Sequence, residues 1–196
     1  MTEITEIILA STSPARKALL EQTNLKFSIV PSNFDETKFR SSNPEELVRY
    51  LAIEKARAVA QQNLTAIVIG ADTVIYHDNK IIEKPKNREE AFTVLKSYCG
   101  KHHFVYTGIA VIQGAKEITD VVSARVLFRN LDDEEIHAYI KTGQPFGNAG
   151  AYTIQQFGAT LVEQIDGDYN TIIGLPLFRL FSILREFGIK PFECMK

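Results

Sequence analysis

Apolar and polar positions follow two rhythms along this chain, and the changes of rhythm mark its elements. Short apolar runs come first. Glu6-Ile-Ile-Leu-Ala10 predicts a first strand, and residues 25–31 alternate like a half-buried one. Residues 66–75 run Ala-Ile-Val-Ile-Gly-Ala-Asp-Thr-Val-Ile, almost unbroken, as expected of a strand buried on both faces. Helical spacing takes over after Ser13-Pro14, where Ser13 can cap and Pro14 suits the first helical position. A longer helix runs from Pro44 to about Gln62, with the stripe Leu47, Val48, Leu51, Ala52, Ala58 and Val59. Residues 74–76 and 80–82 flank His77-Asp78-Asn79, a hairpin turn. Asn87 caps a helix to Tyr98, closed by Cys99-Gly100, and Asp132 caps another to Thr142. Between them, residues 102–113 and 117–128 read as long antiparallel strands around Gly114-Ala115-Lys116. A glycine-rich loop, 143–158, precedes a strand at 159–165, a turn at 167–170 and a last helix opened by Pro176, from Leu177 to Phe187. Strands and helices alternate early and antiparallel strands come later. This predicts one α/β domain over residues 1–196, with a twisted mixed sheet and flanking helices in two lobes and no linker.

Composition narrows the class. A chain of 196 residues with ordinary apolar content can bury one sizeable core or two small ones. No 18-residue apolar run is present, so no membrane partner is expected. The acidic start, Met1-Thr-Glu-Ile-Thr-Glu6, is unlike a signal peptide, and a cytoplasmic location is the expectation. Cys99 and Cys194 stand far apart without metal-ligand spacing and read as buried or idle thiols. A net charge of −2 argues against a broad nucleic-acid footprint. It leaves room for a small anion held by a few placed cations.

The candidate chemistry centres on Asp72. An ionised carboxylate inside a buried sheet is costly without a partner, so Asp72 is expected where the strand leaves the sheet, met there by a cation. Three stretches supply cations. At the first helix start, Ser11, Ser13, free amides, Arg16 and Lys17 converge. The basic pair is the wrong sign for the positive end of a helix, so the group fits either an anion, phosphate by preference, or a plain capped helix with solvated lysine and arginine. Lys55 falls near the middle of the apolar stripe of its helix, where it must snorkel out or meet an anion. Lys84 is held extended by Pro85, and taken alone reads as a solvated loop residue. Asp35 and Glu36 are solvated acids unless they face another carboxylate, in which case a hard divalent cation would be at home. His102 and His103 have no ligand partner at metal spacing and read as strand-start residues.

Taken together and in order, several of these stretches resemble the Maf family of nucleoside triphosphate pyrophosphatases. They are Leu9-Ala-Ser-Thr-Ser-Pro-Ala-Arg-Lys-Ala-Leu-Leu20, Phe34-Asp-Glu36, Glu54-Lys55-Ala56, Gly70-Ala-Asp-Thr73, Glu83-Lys84-Pro85, Tyr106-Thr-Gly108 and Gly174-Leu-Pro-Leu177. The likeness runs from about residue 6 to 186. It implies a Maf/ITPase-like fold of two lobes around a nucleotide cleft, a homodimer, and hydrolysis of a nucleoside triphosphate to monophosphate and pyrophosphate with Mg2+ or Mn2+. By motif position it implies Asp72 as proton acceptor and Ser11, Ser13, Arg16, Lys55 and Lys84 as phosphate binders. Glu36 is implied as a metal carboxylate together with Asp72. Three further positions look like base discriminators: Ala15, Thr73 and Gln155. Thr73 and Gln155 match the dTTP/UTP branch, whereas Ala15 departs from its usual Arg. A branch acting on 7-methyl-GTP would be expected to show Trp, Gln and Glu. A Gln amide both donates and accepts, which suits the pyrimidine N3–H and its neighbouring carbonyl. Within the same likeness stand a purine-directed enzyme and a nucleotide-binding cell-division regulator without turnover.

Overall fold

A computed structural model describes residues 5–190; Cys194 and residues 1–4 of the acidic start lie outside the described residues. The strands are β1 (Ile7–Leu9), β2 (Ser28–Ile29), β3 (Ile67–His77), β4 (Lys80–Ile82), β5 (His102–Gln113), β6 (Lys116–Phe128) and β7 (Val162–Asp166). The helices are α1 (Pro14–Glu21), α2 (Pro44–Ala60), α3 (Arg88–Tyr98), α4 (Asp133–Lys141), α5 (Tyr169–Ile173) and α6 (Leu177–Glu186). The seven strands form one mixed sheet in the order β2-β1-β3-β5-β6-β7, with β4 paired to β3. β1 runs parallel to both β2 and β3, while β3–β4 and β6–β7 are antiparallel. The chain is thus α/β, as its alternation of patterns predicts. Among the described residues no helix is long and apolar enough to cross a membrane.

The described residues divide into two units. The first holds 5–72, 107–122 and 174–190; the second holds Thr73–Tyr106 and Ser123–Ile173. In the first, α2 lies on β3 and β5 with small side chains between them. Ala52, Ala56, Val59 and Ala60 pack on Ile8, Val68, Ala110 and Ile112. The approach is closest at two glycines. A Cβ on Gly70 would stand 2.3 Å from the Ala52 carbonyl oxygen, and one on Gly108 would stand 2.3 Å from that of Val48. Backbone cannot move aside as a flexible side chain can. We expect Gly70→Ala to lose about 2 kcal/mol, seen as a Tm drop of about 4–8 °C in a thermal melt. An unchanged Tm would show that α2 can lift off the sheet freely.

The second unit has its own core, in which Leu95, Tyr98, Val105, Val126, Phe128, Ile136 and Tyr152 are buried. Its helices begin as their sequences predict. Asn87 accepts from the Glu90 amide, and Asp132 with Glu135 forms a reciprocal capping box. The β3–β4 hairpin turns at Asp78 and Asn79, both left-handed with φ of 47° and 61°, a pair suited to a type I′ turn.

Four expectations are corrected. Asp72 does not end its strand: β3 continues to His77, drawn on by its pairing with β4. It is the parallel neighbour β1 that stops, at Leu9 opposite Ile69. The strand expected over 25–31 shrinks to Ser28–Ile29, because β1 offers a partner only at Ile8 and Leu9. Residues 156–161 form a 3-10 segment before β7, since the β6–β7 ladder reaches only Val162, and the carbonyls of Thr160 and Leu161 accept from Arg129. The turn at 167–170 opens into α5, because Asp168 takes both the amide and the hydroxyl of Thr171 in the manner of a cap.

Candidate active site

Alternation along β3 puts Val68, Gly70 and Asp72 on one face. That face is covered by α2, with Gly70 against Ala52 and Ala56. Lys55 lies one turn beyond Ala52 on the same side of α2, so the backbone contact at Gly70 delivers it to Asp72. The Lys55 ammonium donates to Asp72 Oδ1 at 2.5 Å, and both side chains are only 10% exposed. This is the inward lysine that the apolar stripe predicts, and it meets an anion rather than snorkelling to water.

Glu36 completes a bridge: its Oε1 lies 2.7 Å from the same Lys55 nitrogen. Its placement has a local cause. Asp35 caps a 3-10 turn, Glu36–Lys38, by accepting from the Thr37 amide at 3.0 Å and the Thr37 hydroxyl at 2.6 Å. Those bonds occupy Asp35 and hold its pKa below the usual carboxylate value. Aromatic contacts then fasten the turn to α2. Phe39 stacks on Tyr50 at 4.1 Å and Phe34 meets the same ring edge-on at 6.5 Å. Of the two loop acids it is therefore Glu36 that reaches the cluster.

The start of α1 supplies the second cation. Ser13 caps the helix, its Oγ accepting from the Arg16 amide at 3.4 Å. Ser11 is buried, and its Oγ accepts from the Ser13 amide at 3.2 Å and from Arg16 Nη1 at 3.4 Å. Arg16 Nε donates to the Gly174 carbonyl at 2.9 Å, so the guanidinium is held through two of its nitrogens. Burial lowers the Arg16 pKa, while the negative charges of Asp72 and Glu36 raise it. The arginine stays charged throughout the useful pH range. Asp72 answers in the opposite sense: burial raises its pKa first of all, and Lys55 and Arg16 pull it back. Burial thus makes Asp72 a better proton acceptor than a solvated aspartate.

The structure brings together Ser11, Ser13, Arg16, Glu36, Lys55 and Asp72 in the first unit. Ala15 sits beside them in sequence, in the first turn of α1 and partly buried. The other three candidates belong to the second unit. Thr73 is partly buried on β3. Lys84 is exposed in the segment between β4 and α3, followed by a buried Pro85. Gln155 is partly buried, and its backbone N–H donates to Thr153 Oγ1 at 3.3 Å. Sequence reasoning gave no role to the Gly174 carbonyl, to the glycines under α2 or to Tyr50. The signal for Tyr50 was present: an aromatic beside the apolar stripe, with Phe34 and Phe39 bracketing Glu36.

Comparison with known proteins adds family to geometry. The family model described as Maf, Maf-like protein, matches residues 6–187. A dTTP/UTP pyrophosphatase from Dictyoglomus turgidum is 46% identical over 186 residues, covering 93% of this chain and 96% of the relative. One of the same name from Caldanaerobacter subterraneus is 47% identical over 189 residues, covering 94% and 91%. Another from Bacillus cereus is 44% identical over 184 residues, covering 94% and 96%. Among solved structures, a HAM1 protein from Coxiella burnetii shares the fold with a TM-score of 0.55 at 17% identity, covering 93% of this chain and all of that one. A family match across nearly the whole length, spanning every residue of the Lys55–Asp72 cluster, leaves one conclusion: the chain belongs to the Maf family.

Proposed function

We propose that the chain hydrolyses nucleoside triphosphates between the α and β phosphates, releasing pyrophosphate, with dTTP and UTP as preferred substrates. The observation that carries this is the Lys55 ammonium held between Asp72 and Glu36, with Arg16 anchored alongside. The substrate preference rests on the names of the relatives and on Thr73 and Gln155. A homodimer is part of the same proposal, and sedimentation would test it.

A divalent cation fits the donor set. Two hard carboxylates already converge on one positive centre, which is what Mg2+ or Mn2+ requires of a protein. Among the described residues no group of three or more His, Cys, Asp or Glu is placed to hold a metal ion. Glu36 and Asp72 would therefore share it with phosphate and water oxygens. When bound, such an ion neutralises phosphate charge and makes a coordinated water more acidic.

The chain's own residues do the rest. Asp72 accepts a hydrogen bond from the attacking water and takes its proton as the oxygen closes on the α-phosphorus. The α–β bridging oxygen leaves with the pyrophosphate. Lys55 and Arg16 face the charge that gathers on the phosphoryl oxygens, and Ser11, Ser13 and the free amides of α1 add donors. Lys84 is assigned to the departing phosphates by its motif alone.

A panel of dTTP, UTP, GTP and 7-methyl-GTP, assayed with Mg2+ and with Mn2+ for pyrophosphate, tests the reading. We expect kcat/KM for dTTP and UTP to exceed that for either purine by at least about tenfold. A preference for 7-methyl-GTP would overturn the base assignment. Binding without any pyrophosphate would overturn the enzyme itself.

A further inference from the structure

Outside that cluster, the largest set of buried titratable groups among the described residues lies in the second unit, around His103. This residue is the second of β5 and has no exposed surface. Its Nε2 lies 2.8 Å from the Tyr152 hydroxyl, which is also buried. The Tyr98 ring stacks on the imidazole at 4.4 Å, and Phe128 meets it edge-on at 5.1 Å. Burial pushes the His103 pKa down to about 3 and raises that of Tyr152, so the bond joins two neutral groups across the whole working pH range.

Tyr152 is no ordinary core residue. It follows Gly150 and Ala151, both left-handed with φ of 69° and 62°. Alanine resists that conformation, so neighbours must hold it. The Ala151 amide donates to the Asn148 carbonyl at 3.3 Å, and three further contacts tie the segment to its surroundings. The Gly150 amide donates to the Glu83 carbonyl at 3.4 Å, Tyr152 is paired to His103, and the Thr153 amide donates to the Tyr139 hydroxyl at 3.2 Å. Gly150 is also shut in from below: a Cβ there would lie 2.3 Å from Ile75 Cδ1 and 2.9 Å from the Tyr98 hydroxyl. The tethered segment leads in three residues to Gln155, and its tie at Glu83 adjoins Lys84.

We propose that His103 and Tyr152 are positioning residues for base recognition. Their bond fixes the backbone of residues 150–155 so that the Gln155 amide is presented in one orientation. The inference rests on the proposed role of Gln155. An apolar contact in the same place would hold the loop down without fixing its rotation; a hydrogen bond is directional.

Tyr152→Phe removes one oxygen and keeps the ring. With UTP we expect KM to rise about tenfold and the UTP-to-GTP ratio of kcat/KM to fall about tenfold, with kcat changed by less than about threefold. His103→Phe should do the same, and the double variant no more than either single one, because each breaks the same bond. In a Gln155→Ala background, Tyr152→Phe should leave the ratio where Gln155→Ala put it. A Tyr152→Phe protein that melts earlier yet keeps wild-type KM and ratio would overturn the positioning role while leaving the pyrophosphatase reading intact. A wild type that releases no pyrophosphate from UTP would overturn both.

Discussion

Asp72→Asn should lower kcat for UTP by about 10²–10⁴, the usual contribution of a placed proton acceptor. At saturating Mg2+, KM should move by less than about threefold, since the amide keeps the shape of the carboxylate and Lys55 retains Glu36 as a partner. Steady-state assays of pyrophosphate release, with a melt to confirm folding, decide it. Wild-type kcat in a folded variant would remove Asp72 from the chemistry. The pH profile offers a second reading of the same residue. Asp72 must be ionised to take a proton, and burial raises its pKa. The acid limb of kcat/KM should therefore lie above the range of an ordinary carboxylate. Lys55→Met should carry that limb higher still, because it deletes the cation that stabilises the ionised form.

Acid should destabilise the wild type more steeply than a His103→Gln variant. His103 is held neutral to about pH 3 in the fold, against an ordinary value of 6.5. Below that ordinary value the unfolded chain binds a proton that the folded chain refuses, so stability falls as pH falls. The slope approaches about 1.4 kcal/mol per pH unit, and the window between the two values amounts to about 4 kcal/mol. Urea melts at pH 6.5, 5.5 and 4.5 give the comparison. Carboxylates titrate in both proteins, so the difference in slope is what isolates His103. Parallel slopes would show that the imidazole reaches water.

Much of the site was legible because its cues are local. Ser13-Pro14 announces a capped helix start, and a lysine in mid-stripe announces a buried charge seeking a partner. An apolar run ending in Asp72 announces the partner. The Asp78-Asn79 turn and the Asp132 cap are equally local. What escaped depends on contacts distant in sequence. Asp72 was expected at a strand end, because nothing in residues 66–75 tells how far β4 prolongs β3. The tie between Arg16 and Gly174 spans 158 positions, and that between His103 and Tyr152 spans 49. The 3-10 segment at Gln156–Leu161 took the place of a strand because Arg129 claims its carbonyls. Base recognition was legible only through family likeness, since a glutamine in a loop carries no pattern of its own.

Gly70 and Gly108 have one more consequence. Where main chain rests directly on main chain, the gap between helix and sheet is set by peptide atoms, whose size no mutation alters. Exchanges among the surrounding aliphatic residues can accumulate without stretching the span from Lys55 to Asp72. The interior of this chain can be repacked around that span, provided the two positions remain bare.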